Sequence, residues 1–208
     1  MIAKNSTLKD EFEEYSIECE AALRTTMAKI INVREIIKRS AKRNPFDSID
    51  DRIKTFKSVK EKAERKGYDL EIETIKQNIL DVAGIRIITP FRDDIYDVVE
   101  IFHHIPGFNI ICEKDYVKKP KENGYASYHI AMLVEIYSPV TGGSKLIPVE
   151  VQIRDKAMDL WATIEHIIGY KNHNASPEIG ENFKNIAGVL SRFDDMAIAL
   201  RDSNTKKK

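Results

Sequence analysis

A chain of 208 residues, 42% of them hydrophobic, can bury one sizeable core and is short for two full domains joined by a linker. Its 33 basic and 33 acidic residues cancel, so overall charge predicts no polyanionic partner, and any such affinity must come from local clusters. No apolar leader follows the polar start at Met1–Ser6, and no apolar run reaches membrane-spanning length, so we expect a cytoplasmic protein without membrane contact. Cys19 and Cys112 lack the spacing of metal ligands, and we expect two reduced thiols in the core.

The first part of the chain has the pattern of three helices. Ser6 with Asp10 predicts the start of a long helix of mixed apolar and charged residues. Pro45 interrupts this pattern, and Ser48 with Asp51 then predicts the cap of a second helix. The predicted limits are 6–40 for the first helix, 48–67 for the second and about 71–79 for the third.

The middle of the chain has β-branched runs bounded by turn residues, and helical periodicity returns towards the end. The loop at 138–144 contains two glycines and joins two of these runs as a hairpin. We therefore predict an α/β or α+β domain, with a mixed, largely antiparallel sheet of about four to five strands flanked by N- and C-terminal helices. The predicted strands are 82–89, 108–117, 128–137 and 146–153, and the predicted helices are 93–104, 155–171 and 178–202.

The second predicted helix carries a stripe of polar and cationic residues. At about 100° per residue, Lys54, Ser58, Lys62 and Arg65 fall within about 80° of one another, with apolar residues on the far side. Arg52 opens this helix. The stripe suits phosphate binding, although a solvated basic face is the more frequent explanation of such a pattern.

The last predicted strand alternates between apolar and polar residues. Val149, Val151 and Ile153 would face the core, so the intervening polar residues would share the opposite face. A solvated sheet face explains this alternation equally well. The polar residues are Glu150, Gln152 and Arg154.

An acid and a basic, aromatic loop also have the composition of a phosphate site. Asp81 comes just before a strand that contains Arg86, where an acid can hold a divalent metal beside phosphates. Strand alternation puts these two side chains on opposite faces unless Gly84 marks a bulge, and a turn or cap role for Asp81 is the commoner explanation. The loop at 118–129 combines lysines, a glycine and two tyrosines, as in a mobile lid that clamps phosphate and stacks on a base.

These motifs, in this order, resemble the synthetase domain of the RelA/SpoT family, and in particular its short small alarmone synthetases. The likeness runs from about residue 48 to residue 171. It rests on Arg52–Lys54 with Ser58 and Glu61–Lys62, on Asp81–Arg86, on Gly124–His129, on Val149–Arg154, and on Trp161–His166 with Tyr170–Lys171.

The resemblance implies one synthetase domain over residues 1–208, with a nucleotidyltransferase-like core at about 48–171 and helical extensions at 6–40 and 178–202. It implies Mg²⁺-dependent transfer of the β,γ-diphosphate of ATP to the ribose 3′-hydroxyl of GTP or GDP, giving pppGpp or ppGpp and AMP. It also implies a homotetramer in which the first and last helices pack between subunits. The sequence has no His-Asp dipeptide of the family's hydrolase domain, so we expect synthesis without hydrolysis.

The resemblance also assigns roles to individual residues. Asp81 and Glu150 would bind Mg²⁺, and Glu150 would be the candidate base for the 3′-hydroxyl. The residues implied for ATP are Arg52, Lys54, Ser58, Lys62, Arg65 and Arg86, and those implied for the guanine nucleotide are Tyr125, Lys121, His129, Gln152, Lys114 and Lys118.

Two alternatives stay open on the sequence. A single-stranded RNA-binding module could use the second predicted helix and the loop at 118–129, which we call the tyrosine loop. The balanced charge of the chain disfavours this function, which also gives Asp81 and Glu150 no role. The other alternative is a nucleotidyltransferase of similar fold that releases pyrophosphate. Such enzymes usually present two closely spaced acids on one strand, and no predicted strand here has an Asp-x-Asp or Asp-x-Glu pair.

Overall fold

A computed structural model describes residues 7–41, 43–139, 142–169 and 177–205. No helix within these ranges is long and apolar enough to cross a membrane. The predicted helix start at Ser6 and the Tyr170–Lys171 motif lie outside the described residues. The helices are α1 (Leu8–Ser40), α2 (Phe56–Lys66), α3 (Ile72–Asn78), α4 (Asp94–His104), α5 (Lys156–Gly169) and α6 (Pro177–Thr205), and the strands are β1 (Ser48–Ile53), β2 (Ala83–Thr89), β3 (Asn109–Asp115), β4 (Tyr128–Ser138) and β5 (Gly143–Asp155).

The five strands form one sheet in the order β1, β2, β5, β4, β3. Only β2 and β5 are parallel, and the other neighbouring pairs are antiparallel. The predicted mixed, largely antiparallel sheet is therefore confirmed. Val149, Val151 and Ile153 are fully buried in the core, as their alternation predicts. The core also contains buried residues of α1, which contacts four of the strands, so the polar residues of β5 face away from this core.

The structure corrects the prediction of a helix that begins at Ser48 and Asp51. These residues belong to the edge strand β1, as does Arg52, and β1 pairs with β2 in antiparallel register. The helix α2 begins only at Phe56, and the side chain of Thr55 caps it. An edge strand is held by backbone hydrogen bonds on one side, so polar side chains can remain exposed along it and conceal the period-two pattern.

Two smaller predictions are also corrected. The N-cap of α1 is Thr7, not Ser6, because Thr7 and Asp10 form a reciprocal capping box. Cys19 is buried as predicted, whereas Cys112 is exposed. Cys112 lies on β3, which is the other edge of the sheet and leaves part of its surface open to solvent.

Polar contacts fasten α6 to the turn that follows β2. Arg201 donates two hydrogen bonds to the carboxylate of Asp93, at 2.8 and 2.6 Å. The Arg92 side chain donates to Ser191 at 2.7 Å, and its backbone N–H donates to the buried carboxylate of Asp194 at 3.1 Å. Bidentate and charge-assisted bonds of this kind define where the helix docks.

Asp194 is a buried acid whose neutralisation is expected to stabilise the protein above neutral pH. Burial, reinforced by the charge of Asp155, raises the pKa of Asp194 from 3.8 to about 6. Between these values the folded protein keeps a proton that the unfolded chain has lost. The contribution of this proton to the free energy of unfolding is therefore fully present below pH 3.8 and is lost as the pH rises through about 6.

We expect Asp194→Asn to raise the free energy of unfolding by roughly 1–2 kcal/mol at pH 8 and to change it little at pH 4. Thermal melting at the two pH values measures the difference. Asp195→Asn is the matched control, because Asp195 is exposed on the same helix and also pairs with Arg92. An equal shift at both pH values for Asp194→Asn would contradict the ionisation argument.

Candidate active site

Glu150 lies near the centre of the polar face of the sheet. Its neighbours on the adjoining strands are Gly84 of β2 and Ala131 of β4, and these small residues leave space around its carboxylate. Its two oxygens lie 2.8 Å from the amide nitrogen of Gln152 and 3.4 Å from Nδ1 of His129. Burial raises the pKa of Glu150, but the bonds from His129 and Gln152 outweigh it and hold that pKa below its usual value. The carboxylate is therefore ionised at neutral pH.

Asp81 lies in the turn before β2 and meets two cations. Its Oδ2 accepts hydrogen bonds from Lys54 at 2.6 Å and from Lys62 at 2.8 Å. Burial raises the pKa of Asp81, yet these two bonds outweigh it and hold that pKa below its usual value. The other oxygen, Oδ1, is buried and has no hydrogen-bond partner among the described residues. Asp81 thus has an ionised, unused oxygen available to a further ligand.

The two acids line a pair of adjoining cavities of about 120 Å³ each. A third cavity of about 500 Å³ continues from the first towards α5. The shared residues make these cavities one continuous cleft across the polar face. Its lining includes Arg52, Arg86 and Gln152 in the first and third cavities, Lys62, Lys114 and His129 in the second, and Tyr125, Arg154 and Asp159 in the third.

The structure brings together four of the six residues predicted for ATP. Arg52 and Arg86 line the same cavities from neighbouring strands, while Lys54 and Lys62 converge on Asp81. Lys54 lies between β1 and α2 rather than on the helix, so the predicted helical stripe does not include it. The two remaining residues, Ser58 and Arg65, are exposed on α2 and are not among the residues that line the three cavities.

Asp81 and Arg86 line one cavity although β2 has no bulge at Gly84. Strand alternation does not govern Asp81, because that residue lies in the turn before the strand begins. The predicted separation of these two side chains onto opposite faces is therefore wrong. The error comes from applying strand alternation to Asp81, which lies two residues before β2 begins at Ala83.

The tyrosine loop lies against the cleft, and its Tyr125 contacts both His129 and Lys121. The hydroxyl of Tyr125 lies 3.0 Å from Nε2 of His129, and its ring centroid lies 6.0 Å from that of Trp161. Lys121 places its ammonium 4.8 Å from the centroid of Tyr125, and burial lowers the pKa of this lysine. These contacts hold Tyr125 at the boundary between the cleft and α5.

Of the lysines predicted for the guanine nucleotide, Lys114 lies in the cleft, on β3 opposite His129 of β4. Lys118 has other partners: its ammonium lies 3.3 Å from Asp115 and 4.8 Å from the ring centroid of Tyr96. Gln152 and Tyr125 also line the cleft.

No local pattern in the sequence indicates the space around Glu150. Gly84 and Ala131 create that space only because their strands lie on either side of β5, and the strand order is not visible in local patterns. The sequence also did not indicate that Arg154 would be buried, with a side chain only 5% exposed, beside the tyrosine loop.

The acids in this cleft fit a divalent cation such as Mg²⁺. Mg²⁺ is commonly held by one or two carboxylates together with substrate phosphates and water. Asp81 offers an oxygen with no partner, and Glu150 lines the same cavities. No group of three or more His, Cys, Asp or Glu side chains suited to a metal occurs within the described ranges. With Asp81 and Glu150 as its protein ligands, such a cation would complete its coordination with substrate oxygens and water.

A mixed sheet and a cleft in which lysines and arginines meet two ionised acids define an α/β protein of the phosphoryl-transfer class. Residues 51–175 match the region found in RelA and SpoT proteins, and the chain belongs to this family.

Two curated relatives are GTP pyrophosphokinases of Bacillus subtilis. YwaC is 35% identical over 159 residues, which cover 76% of this chain and 75% of YwaC. YjbM is 33% identical over 193 residues, which cover 92% of this chain and 89% of YjbM.

The fold also matches the small alarmone synthetase 1 of Bacillus subtilis. Its structure bound to its product pppGpp aligns with a TM-score of 0.85 and 30% identity, covering 93% of this chain and 97% of that one. Its structure bound to AMPCPP aligns with a TM-score of 0.78 and 27% identity, covering 94% and 98%.

Proposed function

We propose that this protein is a small alarmone synthetase of the cytoplasm. It transfers the β,γ-diphosphate of ATP to the ribose 3′-hydroxyl of GTP or GDP, giving pppGpp or ppGpp and AMP, and does not hydrolyse these products. The observation that carries the proposal is an ionised Glu150 beside Asp81 in a cleft that also contains Arg52, Arg86, Lys62 and Lys114. Relatives that are GTP pyrophosphokinases, and a neighbour bound to pppGpp, support the same activity.

The donor nucleotide is proposed to lie across β1, β2 and the start of α2. Arg52 and Arg86 have planar guanidinium groups that can stack on adenine or bind phosphate. Lys54 and Lys62 pair with Asp81 and, on release from that carboxylate, would bind the phosphates of ATP. Ser58 and Arg65 would contact the phosphate chain where it extends along α2. The bound AMPCPP, an ATP analogue, in a neighbour supports a donor site of this kind.

Asp81 and Glu150 are the residues that would hold Mg²⁺ in this cleft. When bound, it supplies positive charge that offsets the negative charge gathering on the transferred phosphates. The protein's own contribution is to keep both carboxylates ionised, through Lys54 and Lys62 at Asp81 and through His129 and Gln152 at Glu150.

The acceptor is proposed to lie between the tyrosine loop and Glu150. Tyr125 would stack on guanine, Gln152 would position the ribose, and Glu150 would accept the proton of the 3′-hydroxyl. The 3′-oxygen then bonds to the β-phosphorus of ATP, the bond from that phosphorus to the α-phosphate oxygen breaks, and AMP leaves. The acceptor's phosphates would meet Lys121, Lys114, His129 and, after it leaves Asp115, Lys118.

Incubation of purified protein with ATP, Mg²⁺ and each of GTP, GDP and GMP tests this function. Anion-exchange chromatography should show AMP formed in equal amount with a 3′-diphosphorylated guanine nucleotide from GTP or GDP. Pyrophosphate in place of AMP would identify a nucleotidyltransferase. The RNA-binding alternative predicts no nucleotide turnover, with RNA affinity that is independent of Mg²⁺.

We also propose that the protein assembles as a homotetramer through its terminal helices. An exposed apolar stripe runs along α6 with spacings of three and four residues, which places its members on one side of the helix. A solvent-facing stripe of this length is typical of an interface. Its members are Ile186, Val189, Phe193, Met196 and Leu200.

We expect Phe193→Asp to shift the protein from the tetramer to smaller species, because a charge in the stripe cannot be buried without a partner. Light scattering coupled to size-exclusion chromatography measures the mass. Ala199→Asp is the matched control, since Ala199 is exposed on the same helix outside the stripe. An unchanged tetramer with Phe193→Asp would rule out this stripe as the interface.

A further inference from the structure

Arg154 is a buried cation that the proposed reaction leaves without a role. Its side chain is only 5% exposed, and burial lowers its pKa. Its Nη2 donates to Oε1 of Gln152 at 3.2 Å, and its Nη1 lies 3.6 Å from Oδ1 of Asp159. Its Nε has no hydrogen-bond partner among the described residues. A buried charge with such incomplete pairing destabilises a fold, so its place in the cleft points to function.

Arg154 determines which way the amide of Gln152 points. A guanidinium only donates hydrogen bonds, and a carboxylate only accepts them. With its carbonyl towards Arg154 and its NH₂ towards Glu150, the amide satisfies both neighbours, at 3.2 and 2.8 Å. A flipped amide would set donor against donor at one end and acceptor against acceptor at the other. The guanidinium therefore keeps a donor directed at the Glu150 carboxylate.

The same guanidinium lies over the ring of Tyr125, with 5.8 Å between its central carbon and the ring centroid. The Tyr125 hydroxyl contacts His129 at 3.0 Å, and His129 contacts Glu150 at 3.4 Å. The contacts close a ring that joins the candidate base to the candidate stacking residue. In order, its members are Arg154, Gln152, Glu150, His129 and Tyr125.

We propose that Arg154 is a positioning residue that aligns Glu150, through Gln152, and Tyr125, through its ring, at the same time. This inference rests on the proposed function of the cleft. One planar guanidinium thereby sets the position of guanine relative to the group that takes the 3′-proton. A lysine cannot replace it, because an ammonium is a point charge that lacks the planar fork.

Steady-state kinetics of Arg154→Lys and Arg154→Met test this role. Both variants should lose about 10-fold or more in kcat and raise the KM for the guanine nucleotide, while the KM for ATP stays within about twofold. Arg154→Met keeps most of the packing of the side-chain stem, and Arg154→Lys keeps the charge should the methionine variant fail to fold. Lys156→Met is the matched control, because Lys156 is an exposed cation nearby that pairs with Asp47; its kinetics should equal those of wild type.

A double-mutant cycle with Gln152→Leu separates positioning from a structural effect. If Arg154 acts on kcat through the amide, adding Arg154→Lys to Gln152→Leu should lower kcat by less than about threefold further. Independent, multiplying losses in kcat, or wild-type kinetics for Arg154→Lys, would overturn the proposal. Absence of alarmone synthesis by the wild-type protein would instead overturn the proposed function itself.

Discussion

Purified Glu150→Gln protein is expected to make (p)ppGpp about 10²-fold or more slowly than wild type. The amide keeps the size of the side chain but removes the charge that Gln152 and His129 stabilise. It can neither take the proton of the 3′-hydroxyl nor serve Mg²⁺ as an anionic ligand. Initial rates at saturating ATP and GTP measure the loss, and thermal melting verifies that the variant folds.

Glu135→Gln provides the control for this experiment. This substitution makes the same chemical change on the neighbouring strand β4. Glu135 is exposed and pairs with Leu146 in the sheet, away from the cleft. Its rate should match that of wild type. Near-normal synthesis by Glu150→Gln would remove Glu150 from both of its proposed roles.

Asp81→Asn is expected to lower turnover by a similar factor of about 10²-fold and to raise the Mg²⁺ concentration that gives half-maximal rate. The substitution removes an anionic ligand and also leaves Lys54 and Lys62 without their shared partner. The second effect changes how these lysines are held before ATP arrives. A Mg²⁺ titration at fixed ATP distinguishes weakened metal binding from a simple loss of rate.

Asp69→Asn is the matched control for Asp81→Asn, because Asp69 is an exposed acid in the segment between α2 and α3. It should leave the Mg²⁺ titration unchanged. A normal Mg²⁺ requirement in Asp81→Asn, combined with normal turnover, would show that this acid does not contribute to metal binding.

The buried strands were predictable because their burial imposes a pattern on the sequence. In β5, the fully buried Val149, Val151 and Ile153 alternate with polar residues, and the predicted core face is confirmed. The long helix α1 was equally clear, since its apolar face lies against four strands and its period is maintained over 33 residues. Packing against a core imposes a periodic hydrophobic pattern on such segments, so they can be predicted from sequence.

The edge strand β1 was not predictable for the opposite reason. Its residues Asp50 and Asp51 are exposed, and the strand is defined by backbone pairing with β2, which does not depend on side-chain type. The local sequence at Ser48 also fits a helix N-cap, and this local pattern led to the prediction of a helix. Tertiary pairing, rather than propensity, therefore decides the structure of this segment.

The cleft was predictable in its composition but not in its geometry. The pattern of β5 indicated that Glu150 and Gln152 share a face, and the structure shows them bonded to each other at 2.8 Å. The convergence of Lys54 and Lys62 on Asp81 joins residues that are up to 27 positions apart, and no helical period describes it. The specific donor, acceptor and product came from the family resemblance, because cations and acids alone indicate only phosphate chemistry.

The fate of the β-phosphate of ATP tests the central claim most directly. Wild-type protein is incubated with ATP labelled at the β-phosphate, GTP and Mg²⁺, and the products are separated by chromatography. Diphosphate transfer predicts label in a 3′-diphosphorylated guanine nucleotide and an equal amount of unlabelled AMP. Label recovered as free pyrophosphate, with adenylate joined to an acceptor, would contradict the account.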